Sequence, residues 1–228
     1  MLTVLLIRHG ESQSNAGLAT VNSEFAELTD KGHEQAEEIL KYLLQASLIP
    51  DLIVTSSYLR TQQTALPLRF YFSIPEEQWA VHEFTYLSAW HEESTTVEER
   101  RPVVDLFWEI ADPSWVDGPG TESFEQFITR VRDFKALLES TENSTIAVFS
   151  HEQFISAFVW LMKLKHNEVT PTSKEMRQFR SYLLDNRLPN GAIVQAKFHE
   201  GYPWSFELIT DHLSRIEEKE PELTLARP

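Results

Sequence analysis

Val4-Leu5-Leu6-Ile7 is an unbroken aliphatic run, and Arg8-His9-Gly10 follows it without a spacer. A run with no polar alternation reads as a strand buried on both faces, which is the environment of a parallel sheet. The reactive residues then stand at the strand's carboxyl end, where open α/β sheets bind their ligands. Two further runs repeat the arrangement. Leu52-Ile53-Val54 leads into Thr55-Ser56-Ser57-Tyr58-Leu59-Arg60, and Ile146-Ala147-Val148-Phe149 leads into Ser150-His151. Trp79-Ala80-Val81 is expected to be a shorter strand ahead of His82-Glu83. Ala192–Val194 and Phe206–Ile209 are further strand candidates.

Helical periodicity fills the intervals. Ala36, Ile39, Leu40, Leu43 and Leu44 share one face, as do Phe124, Phe127, Ile128, Val131, Phe134 and Leu138. Phe154, Ile155, Phe158, Val159 and Met162 make a third stripe, and Thr172 with Glu175 has capping-box spacing. Strands alternating with helices specify an α/β fold: a three-layer sandwich with a mainly parallel central sheet and helices on both faces. Residues 84–121 break the rhythm with Trp90, Trp108, Trp115 and the turn Asp117-Gly118-Pro119-Gly120. They are expected to be an insertion walling the site, with a helix near Val103–Ala111. Residues 1–213 then form one domain, and the Glu-rich stretch 214–228 a flexible tail.

The chain has 228 residues, a formal net charge of -15 and no cysteine. Cysteine nucleophiles, disulfides and thiolate metal sites are excluded. The acidic balance disfavours nucleic acid and anionic membranes as partners, but not a small anion in a locally positive pocket. The first apolar run is too short for a leader or a membrane span, so a cytoplasmic location is expected. His33, His91 and His199 each precede a Glu, yet none begins a His-Glu-x-x-His pattern, and all three are read as exposed residues.

Two arginines, two histidines and a glutamate on one rim are the parts needed to move a phosphoryl group. Planar guanidiniums match its equatorial oxygens. Arg8 and Arg60 would keep His9 unprotonated, and only a neutral imidazole attacks phosphorus. A carboxylic acid at Glu83 could protonate the leaving oxygen and then, ionised, activate water.

At this point the chain resembles the histidine phosphatase superfamily, also called the phosphoglycerate mutase-like family. Arg8-His9-Gly10-Glu11-Ser12-Gln13-Ser14-Asn15 is similar to its signature, and Leu28–Ala36 to the segment after it. Ser56–Ala65 and Phe149-Ser150-His151 are similar to its later motifs. The resemblance implies His9 as the phosphorylated nucleophile and Arg8, Arg60 and His151 as the phosphate pocket. It also implies that Asn15 adds a hydrogen bond to the phosphate and that Glu83 is the proton donor. Neither a metal nor an organic cofactor is implied. The expected partner is a small phosphorylated substrate.

One departure stands out: Glu152 occupies a position that is commonly Gly in the family. Its charge suits a helix start, and its side chain is expected to point away from the phosphate. Were it to point inward, it would oppose anion binding and support a regulatory module that has lost turnover. Mutases of the family carry a longer, tryptophan-containing stretch after the signature. Asn15-Ala16-Gly17-Leu18-Ala19-Thr20 lacks it, which favours hydrolysis over phosphoryl return.

Overall fold

The computed structural model describes residues 1–19, 22–88, 91, 95–164 and 171–217. Six strands form one sheet: β1 (Leu2–Arg8), β2 (Leu52–Thr55), β3 (Glu76–Gln78), β4 (Thr145–Ser150), β5 (Ile193–Phe198) and β6 (Ser205–Ile209). Their order is β3-β2-β4-β1-β5-β6. The first four run parallel, and β5 and β6 add two antiparallel pairings at one side. The aliphatic strands β1, β2 and β4 sit adjacent in the middle, as their all-apolar runs require. Their carboxyl ends therefore converge on one edge.

The period of two along β1 divides the core. Val4 and Leu6 face a layer built from α4 (Phe124–Ser140), α5 (Glu152–Lys163) and α6 (Ser173–Asp185). Leu5 and Ile7 face α1 (Asp30–Gln45) and α2 (Leu59–Tyr71). Phe124, Phe127, Phe154, Phe158 and Phe179 are fully buried in the first layer. Truncating any one of them to Ala should cost about 3–5 kcal/mol. Reciprocal capping boxes begin α4 at Ser123/Gln126 and α6 at Thr172/Glu175.

Three expectations change. The short strand is Glu76–Gln78 rather than Trp79–Val81. An edge strand needs backbone pairing, not apolar side chains, and its three residues are all exposed. The inserted helix, α3 (Val97–Ile110), starts six residues earlier than the apolar stripe suggested. A capping box between Thr96 and Glu99 initiates it ahead of a charged first turn. The tail expected from Ser214 opens instead with a helical turn, α7 (Ser214–Glu217), in which Ile216 is buried. Residues 218–228 lie outside the described residues.

The insertion is packed, not detached. Phe84 stacks on Phe127 with ring centroids 4.4 Å apart, and Phe107 and Trp108 are buried beside it. Trp115 is half-buried against Phe107, while Trp90 lies outside the described residues. Two glycines set the entry to α1. A Cβ on Gly10 would lie 2.4 Å from the Gly32 carbonyl oxygen, and one on Gly32 would lie 2.1 Å from the Glu11 carbonyl oxygen. Only glycine permits that approach. Among the described residues no helix is long and apolar enough to cross a membrane.

Candidate active site

The three central strands deliver their next residues to one point. The His9 amide donates to the Ser150 carbonyl at 3.0 Å, extending the β1–β4 ladder by one step. β2 ends beside Ser56, and β4 hands over to His151. Arg60 reaches in from the first turn of α2, its ring-ward face over Tyr58 at 4.7 Å. The gathered residues form a chain of hydrogen bonds. Arg60 Nε donates to His9 Nε2 at 3.0 Å, and Arg60 Nη2 meets His151 Nδ1 at 3.0 Å. His151 Nε2 meets Ser56 Oγ at 2.9 Å. The remaining Arg60 terminus donates to the Ser23 carbonyl at 2.6 Å.

These contacts assign both tautomers. His9 Nδ1 lies 2.7 Å from the Gly10 carbonyl, which can only accept, so Nδ1 carries the proton and Nε2 the lone pair. A guanidinium can only donate, so His151 Nδ1 is an acceptor and its Nε2 the donor to Ser56. Burial holds both rings well below the usual histidine pKa, and the charge of Arg60 lowers them further. Arg8 adds to the effect on His9. His9 is therefore a neutral imidazole with its Nε2 electron pair presented toward two cations' worth of positive field.

Glu83 lies in the loop after β3. Its carboxylate accepts from the amides of Phe84 at 3.0 Å and Gln153 at 3.1 Å. Burial nevertheless raises its pKa above the ordinary carboxylate range, against the lowering effect of the Phe84 amide. Glu83 and Arg60 line a common cavity of about 230 Å³ with Ser14, Ser23, Tyr58 and Tyr86. The loop bearing Glu83 is clamped by Arg130, whose guanidinium donates to the carbonyls of Ala80 and His82, each at 2.9 Å. Arg130 also pairs with Glu122, which in turn receives the Thr85 amide at 3.2 Å.

Arg8 is placed differently from Arg60. Its Nη1 donates to the Leu188 carbonyl and lies 3.3 Å from Glu152. Glu152 opens α5, as its charge suits, and its side chain lines a hollow next to the cavity of Arg60 and Glu83 rather than that cavity itself. It bridges Arg8 to Arg187, with Nε of the latter at 2.8 Å, and accepts the Leu188 amide at 3.3 Å. The reason is that Arg8 is almost buried and needs a counter-charge. Asn15 lies on the exposed loop outside the cavity. Its Oδ1 accepts from the Ser12 amide and from Asn190, so a ligand would meet its amide nitrogen.

A sequence model of the Histidine phosphatase superfamily (branch 1) matches residues 4–174. The chain belongs to that superfamily. Its likenesses span both activities found there. It is 29% identical over 154 residues to a 2,3-bisphosphoglycerate-dependent phosphoglycerate mutase of Mycobacterium leprae, covering 56% of this chain and 62% of that one. The match thus spans less than two thirds of that relative's length. The α-ribazole phosphatase of Shigella flexneri superimposes with a TM-score of 0.70 at 20% identity, over 92% of this chain and 97% of that one. A phosphoserine phosphatase of Entamoeba histolytica, solved with phosphoserine, gives 0.69 at 22%, over 93% and 100%. At these identities the two structures carry the fold.

Within this histidine phosphatase frame, sequence reasoning gave no role to Ser56, Arg130 or Asn190. Ser56 directly follows β2 and could have been found there. Arg130 gave no signal, because its three carbonyl partners lie about fifty residues away. His91 is not exposed: it sits half-buried 3.4 Å from Asp117. Among the described residues no cluster of three or more His, Asp or Glu could hold a metal ion.

Proposed function

We propose that this superfamily member is a phosphatase for small phosphate monoesters, passing the phosphoryl group through His9. The observation that carries the reading is the His9 tautomer: proton pinned to the Gly10 carbonyl, lone pair on Nε2, under the Arg60 guanidinium. In the first step the Nε2 pair forms a bond to phosphorus as the ester P–O bond breaks. Glu83, in its acid form, gives its proton to the departing oxygen. Arg60 turns from Nε2 of His9 to the equatorial oxygens, which accept from its guanidinium. In the second step water attacks the phosphohistidine, the P–N bond breaks, and Glu83 takes the water's proton. His9 recovers its lone pair without ever losing the Nδ1 proton. No step uses a metal.

The test is a rapid acid-free quench during turnover, with phosphorus NMR of the trapped enzyme. An acid-labile, base-stable phosphoramidate on His9 is expected. His9→Ala should lack both the signal and turnover while keeping its near-UV circular dichroism. Turnover of an aryl phosphate by that variant would refute the scheme, and loss of wild-type turnover in a chelator would point to metal-assisted hydrolysis.

The mutase relative favours a second reading, in which the phosphoryl group returns to another oxygen. The short stretch from Asn15 to Thr20 supports hydrolysis instead. Supplying 3-phosphoglycerate and measuring isomer against free phosphate separates the two.

A further inference from the structure

Beside the catalytic cavity lies a second hollow of about 550 Å³. Tyr86, Val97, Val104 and Gln153 line both, so the two meet along a shared wall. The second is unusual in charge. Arg101, Arg180 and Arg187 surround it, against Asp105 and Glu152. In a chain of formal net charge -15, such a surplus of cation around one hollow is local and directed.

The three arginines are not equivalent. Arg187 is engaged by Glu152 at 2.8 Å, and Arg101 pairs with Glu98 at 2.7 Å on the exposed rim. Arg180, on α6, makes no hydrogen bond or ion pair with any described residue. Its guanidinium instead stacks over the buried ring of Trp108, with 5.2 Å from Cζ to the centroid. Stacking fixes the plane of the group and leaves its N–H edge for a partner. Its charge also acts on the phenol of Tyr86, which places it close to the wall shared with the catalytic cavity. A half-buried, oriented, uncompensated guanidinium is prepared for an anion that the protein does not supply.

We infer that this annex is a subsite for a carboxylate carried by the substrate beyond its phosphate ester, with Arg180 as the principal contact. The inference rests on the phosphatase reading above. Charge selects the ligand. With the ion-pair partners of the lining groups included, four arginines (Arg8, Arg101, Arg180, Arg187) against three carboxylates (Glu98, Asp105, Glu152) leave about one net positive charge, which a carboxylate neutralises and a second phosphate would overshoot beside Glu152. The planar edge of Arg180 also suits bidentate capture of a carboxylate. The shared wall makes the two anions parts of one molecule: its phosphate lies by Arg60 and Glu83, and its chain passes Tyr86 and Gln153 to Arg180.

The experiment compares matched pairs: phenyl phosphate with 4-carboxyphenyl phosphate, and phosphoethanolamine with phosphoserine. Dissociation constants are measured by calorimetry on His9→Ala, and kcat/KM on the enzyme with His9 present. The carboxylated member of at least one pair should bind about tenfold or more tightly, the effect of one charge-assisted contact. Arg180→Ala should erase that ratio, and Arg180→Lys should restore only part of it. Melting curves confirm that both variants fold. Ratios near one in both pairs, or ratios unchanged in Arg180→Ala, overturn the subsite. A bisphosphate that outcompetes its carboxylated counterpart overturns the assignment to a carboxylate. Carboxylate-dependent binding without turnover of any compound would sink the phosphatase reading while leaving the annex in place.

Discussion

Replacing Glu152 by Gln should move stability and anion affinity in opposite directions. The side chains of Glu152 and Arg8 are each only 11% exposed, so the pair is a buried one. Removing one partner from a buried ion pair costs about 3–5 kcal/mol, because the survivor is left uncompensated. Arg187, at 65% exposure, adds less than about 1 kcal/mol. Gln retains an acceptor for the Leu188 amide, which places the expected loss near the lower end, about 3 kcal/mol. For a chain of this size that is a fall in Tm of about 6–12 °C. The same substitution frees Arg8 Nη1 for an incoming anion. One added charge-assisted hydrogen bond is worth about 1.5–3 kcal/mol, so vanadate should bind about ten- to a hundredfold more tightly. Urea unfolding gives the first quantity, and a vanadate titration gives the second. A variant as stable as the parent, with the same vanadate Kd, would show that the Arg8–Glu152 contact has no energetic role.

Other perturbations test other links. Arg60→Ala should weaken vanadate binding by about a hundredfold; because Arg60 lowers the pKa of His9, its removal should also shift the acid limb of kcat/KM to higher pH. An unmoved limb would separate Arg60 from His9 electrostatically. Glu83→Gln should slow esters with poor leaving groups far more than activated ones. Burial raises the Glu83 pKa, so the alkaline fall in wild-type kcat/KM reports loss of its proton, and Gln should abolish that fall. Equal slowing of both ester classes would assign the acid elsewhere. Stability should depend on pH through His9 and His151, whose folded pKa values lie below the unfolded value of about 6.5. Their contribution is complete above that value and is lost as pH falls, at about 1.4 kcal/mol per pH unit for each ring. His82, lowered to about 4, extends the acid end of the window. A urea midpoint constant from pH 7.5 to 5 would contradict this.

The parts of the site that could be read in advance are those attached to strands. β1, β2 and β4 are apolar on both faces, so the residues after them had to emerge at the sheet's edge. The helix that carries Arg60 left no amphipathic trace. It buries Thr61 and Thr64 as well as Ala65 and Leu68, and Thr64 Oγ1 serves as acceptor for the Gly10 amide. Periodicity sees apolar faces, and this face is partly polar because it supports the loop. The strand β3 was misplaced by the opposite error: the Trp79 amide still donates to the Thr55 carbonyl, but Val81 turns back on Trp79 and is apolar for packing in the core. The Arg8–Glu152–Arg187 bridge joins residues far apart in the chain, and nothing local distinguishes Glu152 from any acidic helix start.

The back-to-back contact of Gly10 and Gly32 has a consequence for how this architecture can diversify. Each glycine is walled by a peptide oxygen of the other's segment or its immediate neighbour, so neither gap can be relieved by trimming a side chain. The register between the His9 loop and the first helix is consequently a rigid gauge. A lineage or a designer seeking new substrates would find that seam closed to gradual change, and would be driven to remodel the wall contributed by residues 84–121.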